Sequence, residues 1–273
     1  MDIWINGKQG AGIDCRDRGL QYGDGVFETM RVRHGAVRLL EYHLDRLYSG
    51  CARLGIEAPA PRVLRRELKG VAARRTVGVL KLIVTRGTGS RGYRPKGTER
   101  CTRILSLHAL PRTALENLRK PVRVRVCGTS ISSNPLLAGI KTLNRLESVM
   151  ARMEWSDHRI WEGLMRDVDG NIVCGTMSNL FLVRGSRLLT PLLDRGGVAG
   201  VMRRWILESA GALELRAVQG RVRWTDLVRA EEVFMSNAVV GVVSVGSVEW
   251  GNERMRPPRC EAASHFLDRL RHL

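Results

Sequence analysis

The sequence predicts an α+β protein built from two domains. Patterns typical of strands and of helices are mixed in both halves of the 273 residues, without the strict alternation of a doubly wound sheet. A polar segment at residues 111–120 separates the halves and is interpreted as a linker. We therefore expect a smaller N-terminal α+β domain at residues 1–113 and a larger C-terminal α+β domain at residues 121–273.

In the first half, apolar and β-branched runs predict strands at residues 3–5, 26–33, 77–85 and 102–110. A helix at residues 41–54 is indicated by apolar residues at steps of four and three, namely Leu40, Leu44, Leu47, Cys51 and Leu54. A second helix is expected at residues 63–73. Together these elements make the N-terminal domain a small mixed unit.

The second half repeats the mixture. Strands are predicted at residues 122–127, 161–168, 172–174, 180–183, 232–238 and 239–245. Helical patterns follow Lys141 and Gly200, and a last one covers residues 260–273. This half is therefore expected to form the larger domain.

Composition limits the class of protein. The six cysteines are far apart, with no C-x-x-C pair, which argues against a disulfide framework or a cysteine zinc cluster and fits a reducing cytosol. The chain begins without a signal-peptide pattern and has no apolar run of membrane-spanning length. A cytoplasmic protein without a metal site and without membrane attachment is the expectation.

The formal net charge of +18 allows two interpretations. Nucleic-acid-binding proteins concentrate basic residues on one stripe and often interleave aromatic residues. Here the arginines are spread over the whole chain and aromatic residues make up 5%. A positive field that attracts an anionic small substrate is the favoured interpretation, and a basic nucleic-acid-binding protein is kept as a remote alternative.

Lys141 is the most conspicuous candidate for chemistry, because it is one of six lysines in a chain with 39 arginines. It follows Ile140 at an apolar loop-to-helix junction, and the helical pattern after it runs through Leu143, Leu146, Met150 and Met153. Desolvation there would lower the pKa of the amine and make it a nucleophile. The other interpretation is a lysine whose stem packs at the start of an amphipathic helix while its ammonium stays solvated.

Three glycine-rich segments are also candidates. Residues 17–25 lead into a strand, which indicates either an ordinary loop or close passage of backbone past a ligand. Residues 86–95 lack the P-loop order of glycines and lysine, and we interpret them as a flexible arginine-rich loop at the mouth of a site. Residues 194–200 run into a helical pattern, which favours either phosphate binding by backbone N–H groups or simple helix capping.

In their order along the chain, these motifs resemble the fold-type-IV enzymes that use pyridoxal 5'-phosphate (PLP). The resemblance runs from Tyr22-Gly-Asp-Gly-Val-Phe-Glu28 to Ser236-Asn-Ala238 and so covers nearly the whole chain. The segments at residues 86–93 and 134–147 are most similar to the 4-amino-4-deoxychorismate lyases of that group. The resemblance implies a two-domain, branched-chain aminotransferase-like architecture with the active site between the domains.

The resemblance also implies roles for individual residues. Lys141 would form the Schiff base with PLP and later move protons as the catalytic residue. Arg46 would bind the cofactor phosphate. The remaining cofactor-binding positions carried over are Cys174, Asn179, Gly200, Val201, Met202, Ser236, Asn237 and Ala238.

Cys174 departs from the family pattern. A glutamate usually occupies this position, five residues before the asparagine, and holds a proton on the pyridine nitrogen. A thiol is only a weak donor and acceptor, although a thiolate would be a closer substitute. Either the cofactor ring is a poorer electron acceptor here, or another acid serves, with Asp167 and Asp169 as candidates.

The activity that the resemblance implies is conversion of 4-amino-4-deoxychorismate into 4-aminobenzoate and pyruvate, a step of folate biosynthesis. The alternative on the same fold is a D-amino-acid or branched-chain aminotransferase. Substrate-binding candidates are Arg91, Tyr93 and Arg103, because the substrate is a dianion. The family typically forms homodimers, so a homodimer is expected.

Overall fold

The computed structural model describes residues 2–10, 12–111 and 120–271, which form two compact units. Unit 1 comprises Met1–Pro111 and Ile140–Asn144, and unit 2 comprises Arg112–Gly139 and Arg145–Leu273. This division differs from the predicted one at Ile140–Asn144, which contains Lys141 and packs with unit 1. Most of the predicted linker at residues 111–120 lies outside the described residues.

Unit 1 is organised on a six-stranded antiparallel sheet with the order β2-β1-β6-β5-β3-β4. Its strands are β1 (Asp2–Ile5), β2 (Lys8–Gln9), β3 (Gly25–Arg33), β4 (Ala36–Val37), β5 (Val77–Thr85) and β6 (Thr102–His108). The predicted strand at residues 77–85 coincides with β5, and the strand predicted at 102–110 ends two residues earlier.

Three helices belong to unit 1: α1 (Arg18–Tyr22), α2 (Leu40–Leu54) and α3 (Pro61–Ala72). Leucines of α2 and α3, among them Leu44, Leu47, Leu64 and Leu68, are buried against one face of the sheet. Pro61 begins α3, a position where its missing N–H costs no hydrogen bond. The short α1 was not predicted from its glycine-rich sequence.

Strand β3 shows how the sheet divides its two faces. Its even-numbered side chains, which include Glu28 and Met30, are buried on the side of α2 and α3. Its odd-numbered side chains, including Phe27 and Arg31, lie on the opposite face and are only half-buried. One face of the sheet is therefore the core of unit 1, and the other carries aromatic and basic groups.

Unit 2 contains a nine-stranded mixed sheet with the order β12-β11-β10-β13-β14-β7-β8-β9, and β15 pairs with β14. Parallel pairs join β11 to β12, β14 to β7 and β7 to β8. The strands are β7 (Val122–Ser130), β8 (Ile160–Arg166), β9 (Ile172–Gly175), β10 (Asn179–Arg184), β11 (Arg187–Pro191), β12 (Arg216–Gly220), β13 (Glu232–Asn237), β14 (Gly241–Trp250) and β15 (Glu253–Met255).

The helices of unit 2 are α4 (Leu146–Arg152), α5 (Val201–Ser209), α6 (Trp224–Arg229) and α7 (Glu261–Arg271), and a 3₁₀ turn spans Ala210–Leu213. Phe181 of β10 and Phe234 of β13 lie opposite each other and stack with ring centroids 5.0 Å apart. Phe266 of α7 packs on Phe234 at 5.8 Å. These three buried rings fix α7 on the sheet.

Helix α4 is the apolar helix expected after Lys141, but it begins later and is packed differently. It starts at Leu146 rather than next to the lysine. Leu146 is 77% exposed and Met150 is 61% exposed. The apolar stripe is therefore a surface of unit 2 and not part of its core. No described helix is long and apolar enough to cross a membrane.

Candidate active site

Lys141 lies in an extended segment that is hydrogen-bonded to the start of β3. The Phe27 N–H donates to the Lys141 carbonyl at 3.0 Å, and Val26 forms a β-bridge with Thr142. Ile140, only 3% exposed, anchors the segment in the core of unit 1. The Lys141 side chain crosses the Phe27 ring, with Nζ 4.2 Å from the ring centroid. Where a loop-to-helix junction was predicted, the chain at Lys141 and Thr142 instead pairs with the start of β3 like a short additional strand. This pairing holds the Lys141 amine over the Phe27 ring.

A buried acid–base cluster occupies the opposite, core-facing side of β3. The Glu28 carboxylate, 1% exposed, receives two hydrogen bonds from Arg46, from Nε to Oε1 at 2.7 Å and from Nη2 to Oε2 at 2.5 Å. His43 Nδ1 lies 2.5 Å from Glu28 Oε2. His43 and Arg46 are neighbours on one face of α2 because they are three residues apart. Two hydrogen bonds thus hold the guanidinium of Arg46 on the Glu28 carboxylate.

The charges of this cluster follow from burial and pairing. Burial alone would raise the pKa of Glu28, but the charge of Arg46 and the contact with His43 outweigh it and lower that pKa to about 2. Burial lowers the pKa of His43 below its usual value, against the attraction of Glu28. His43 is therefore neutral at pH 7, and its Nδ1 carries the proton donated to the carboxylate, which can only accept.

In unit 2, three of the predicted cofactor-binding residues are close together. Asn179 and Ser236 are directly opposite each other on the paired strands β10 and β13. Asn179 Nδ2 donates to the Val198 carbonyl at 2.9 Å, and a Cβ placed on Gly200 would collide with Asn179 Oδ1. The asparagine thus connects the sheet to the chain that enters α5.

The start of α5 and the turn after β13 contain the other predicted residues of this group. Gly200 is the N-cap of α5 and makes no side-chain capping bond, while the Val201 and Met202 side chains are buried beneath the first turn. Asn237 Oδ1 accepts hydrogen bonds from two backbone N–H groups of the turn that contains Ala238. Because Gly200 has no side chain, none covers the backbone N–H groups at this position of the N-terminus of α5.

Cys174 lies in an apolar cluster of unit 2. Its buried neighbours include Cys127, Met165 and Val173, and a Cβ on Gly197 would lie 3.9 Å from its Sγ. Burial raises the pKa of the Cys174 thiol to about 12, with Glu162 adding to the shift and Arg145 opposing it. The thiolate considered from the sequence is therefore negligible at neutral pH.

The two aspartates considered as substitutes have other partners. Asp167 accepts bonds from the backbone of Asp169 and from the backbone and side chain of Asn171, and so closes the turn between β8 and β9. Asp169 is paired with Arg195 at 3.0 Å on the surface. Asp167 therefore stabilises the turn between β8 and β9, and Asp169 forms an ion pair on the surface beside that turn.

The substrate-binding candidates fall into two groups. Arg91 and Tyr93 are exposed in the arginine loop, residues 86–95 between β5 and β6. Arg103, in contrast, makes a two-point ion pair with Glu67 inside unit 1, with both distances 3.0 Å. Two of the three candidates thus remain accessible, while Arg103 already has a carboxylate partner. Among the described residues, no group of His, Cys, Asp and Glu side chains is arranged to hold a metal ion.

Comparison with known proteins places the chain in a family. The sequence model for amino-transferase class IV matches residues 25–248. The chain belongs to the class IV aminotransferases. It is 32% identical to aminodeoxychorismate lyase from Vibrio harveyi, over 90% of this chain and 91% of that relative. It is 29% identical to a putative branched-chain-amino-acid aminotransferase from Methanocaldococcus jannaschii, over 91% of this chain and 88% of the relative.

A solved structure extends the likeness. The structure of 4-amino-4-deoxychorismate lyase from Pseudomonas aeruginosa matches with a TM-score of 0.93 and 44% identity, covering 99% of this chain and 98% of that chain. The predicted fold-type-IV α+β fold is confirmed by this likeness and by the family match.

Two residues of this class IV aminotransferase were missed in the sequence. Glu28 and His43 complete the Arg46 cluster, but they are fifteen residues apart and meet only when α2 packs on β3. The signal was present: Glu28 occupies an inward position of an alternating strand, between Val26 and Met30, where a carboxylate needs a partner.

Proposed function

We propose that this protein is a PLP-dependent lyase that converts 4-amino-4-deoxychorismate into 4-aminobenzoate and pyruvate. The observation that carries the proposal is the 44% identity to a solved 4-amino-4-deoxychorismate lyase over 99% of the chain. Lyase relatives at 32% and 28% identity support the same activity.

The described residues fit a cofactor that carries a phosphate. Ser236 Oγ is buried and has no hydrogen-bond partner among the described residues. At α5, Gly200 leaves no room for a side chain, and a helix N-terminus favours a bound anion. We assign the phosphate to Arg46, the first turn of α5 (Gly200, Val201 and Met202) and the segment Ser236, Asn237 and Ala238, with Asn179 holding the approach to α5 in place.

When bound, PLP supplies an aldehyde that binds amines covalently and a pyridine ring that accepts an electron pair. Lys141 is the residue assigned to hold it, since a neutral lysine amine is a nucleophile. With the substrate bound in its place, the Nζ of Lys141 would act as the general base that removes the proton from the ring carbon bearing the substrate amine. Lys141 then returns a proton to the departing enolpyruvate.

Cys174 is assigned to the pyridine nitrogen. Because its thiol is neutral at pH 7, it supplies no negative charge to hold a proton on that nitrogen. A weaker electron acceptor suits an elimination that is driven by forming an aromatic ring better than it suits amino-group transfer. Arg91 and Tyr93 are assigned to the substrate carboxylates.

The protein is also proposed to act as a cytoplasmic homodimer. The free thiols of all six cysteines agree with a reducing compartment. The exposed apolar stripe of α4, Leu146, Val149 and Met150 together with Met153, is the kind of surface that a second copy covers.

The test is the substitution Lys141→Ala in protein refolded and saturated with PLP. We expect loss of pyruvate release and, after unbound PLP has been removed by gel filtration, loss of the protein-bound visible absorbance that borohydride bleaches. Lys81→Ala is the matched control, because Lys81 Nζ also lies over the Phe27 ring, at 5.4 Å. The control should keep the borohydride-sensitive absorbance. Pyruvate release by the Lys141→Ala protein at the wild-type rate would refute the assignment.

An aminotransferase is the second candidate, since the family model and the Methanocaldococcus relative point to it. It is distinguished by measuring transfer of the amino group to a keto acid alongside pyruvate release. Amino-group transfer as the dominant reaction would replace the lyase proposal.

A further inference from the structure

Arg18 is a buried arginine that joins α1 to the far end of the arginine loop. It is 3% exposed, and its Nε donates to Asp24 Oδ2 at 2.9 Å. Its Nη1 donates to the Gly92 carbonyl at 2.9 Å and its Nη2 to the Tyr93 carbonyl at 2.7 Å. Because the guanidinium is planar and its N–H groups point in fixed directions, these hydrogen bonds fix the position of the backbone at residues 92 and 93.

Asp24 connects this contact to the start of the same loop. It also accepts from Arg86 Nε at 2.7 Å and from Arg86 Nη2 at 3.1 Å. Arg86 in turn donates to the carbonyls of Leu54 and Gly55, at the C-terminal end of α2. One carboxylate thus holds both ends of the arginine loop, and it does so beside the helix that carries Arg46.

The packing around Arg18 leaves little freedom. A Cβ on Gly89 would come within 2.7 Å of Arg18 Cδ, so a side chain at this position would displace the arginine. The guanidinium lies 4.9 Å from the centroid of the Tyr22 ring, and the Tyr22 ring contacts that of Tyr93 edge-on at 5.5 Å. Tyr93 is nevertheless 85% exposed, so the contact orients the ring without burying it.

The loop that was interpreted as flexible is therefore fixed by charge-assisted bonds in unit 1. Burying a guanidinium is costly unless it is paired, so the loop stays ordered as long as Asp24 and the two carbonyls satisfy Arg18. The exposed residues at this end of the loop, Arg91 and Tyr93, are the two side chains assigned above to the substrate.

We propose that Arg18 is a positioning residue for substrate binding: it holds the arginine loop in the conformation in which Arg91 and Tyr93 receive the anionic substrate. The inference rests on the proposed function for the identity of the substrate. Ordering the loop in advance lowers the cost of binding. If the loop were competent for only one tenth of the time, the apparent dissociation constant would rise about tenfold.

The experiment compares the holoenzyme with its Arg18→Met and Arg18→Lys variants. Methionine keeps an apolar stem and removes every hydrogen-bond donor. Lysine keeps the positive charge but lacks the planar set of N–H donors of arginine. We expect Arg18→Met to raise KM for the substrate about tenfold, with kcat within about threefold and the cofactor absorbance unchanged. Arg18→Lys should have a KM between those of the wild type and Arg18→Met. Arg65→Met is the control, because Arg65 pairs with Glu41 on the surface of unit 1, away from this network.

A second readout does not depend on activity. Trypsin cleavage after Arg91, located by mass spectrometry, should be at least about tenfold faster in Arg18→Met, since cleavage needs an open backbone. Cleavage after Arg184 is the internal reference, because this exposed arginine lies in the hairpin between β10 and β11 of unit 2. Its rate should be unchanged.

Wild-type rates of cleavage after Arg91, together with a wild-type KM, would overturn the proposal. If Arg18→Met does not fold, Arg18→Lys decides in the same way, with an expected rise of about threefold in both quantities. Failure of the proposed function is distinguishable, because the wild-type protein would then release no pyruvate. The cleavage after Arg91 would still report whether Arg18 holds the loop.

Discussion

The substitution Glu28→Gln tests the buried cluster that fixes Arg46. Glutamine keeps the shape of the side chain and removes its charge. Arg46 and His43 both contact this carboxylate at 2.5–2.7 Å, and the Glu28 side chain is 2% exposed. Removing the charge of Glu28 takes this counter-charge away from the Arg46 guanidinium, whose side chain is only 13% exposed, which is a strongly destabilising change.

The magnitude follows from the pKa of Glu28. A fall from 4.5 to about 2 in the folded protein corresponds to about 3 kcal/mol of stability at pH 7, at about 1.4 kcal/mol per pKa unit. Because the folded pKa is depressed, this contribution is complete above pH 4.5 and is lost as the pH falls toward 2. At pH 3.5 about 2 kcal/mol of it would remain.

The assay is the free energy of unfolding in urea, measured for both proteins at pH 7 and pH 3.5. We expect Glu28→Gln to be less stable by about 3 kcal/mol at pH 7 and by about 2 kcal/mol at pH 3.5. Glu41→Gln is the control, since its pair with Arg65 is solvent-exposed and contributes little to stability. Equal stability of Glu28→Gln and wild type at pH 7, or a difference that does not change with pH, would refute the reasoning.

Two further predictions concern the cofactor ring and the dimer. Cys174→Glu should shift the pH dependence of the cofactor absorbance by at least about one unit, because a carboxylate holds a proton on the ring nitrogen, and superimposable titrations would contradict this role. Leu146→Glu combined with Met150→Glu should convert a dimer into a monomer in sedimentation, because the charges disrupt an apolar contact. Val228→Glu, at an exposed apolar position of α6, should stay dimeric; a dimeric double variant would show that α4 is not the interface.

Local patterns predicted most of the elements, and their failures have physical causes. Strand β5 was predicted with its observed bounds because its nine residues are rich in apolar and β-branched side chains, which favour an extended chain. The helix after Lys141 was predicted to begin too early, since periodicity marks an apolar face without saying where the backbone first becomes helical. Periodicity also does not tell whether such a face meets the protein's own core or another surface, and α4 is exposed.

The residues of the candidate site also differ in how far the sequence could predict them. Lys141 and Arg46 belong to motifs that are continuous in sequence, so resemblance alone could find them. The partners of Arg46 and the network around Arg18 depend on residues that are far apart in the chain, such as Arg18 and Tyr93. They become visible only when strands and helices are packed. Cys174 was found as an exception to a pattern, and its neutral, apolar surroundings required the structure.

The short segment Ile140–Asn144 makes unit 1 a discontinuous piece of chain. Its core needs Ile140, and the edge of β3 needs the bridge from Thr142, yet both follow the first segment of unit 2, Arg112–Gly139, in the sequence. During synthesis the N-terminal residues emerge first, but they cannot complete their packing until residue 144 has left the ribosome. A chain that stops before residue 140 would lose Lys141, the proposed nucleophile, and the last piece of unit 1 at the same time. Completion of unit 1 and synthesis of Lys141 are therefore a single event.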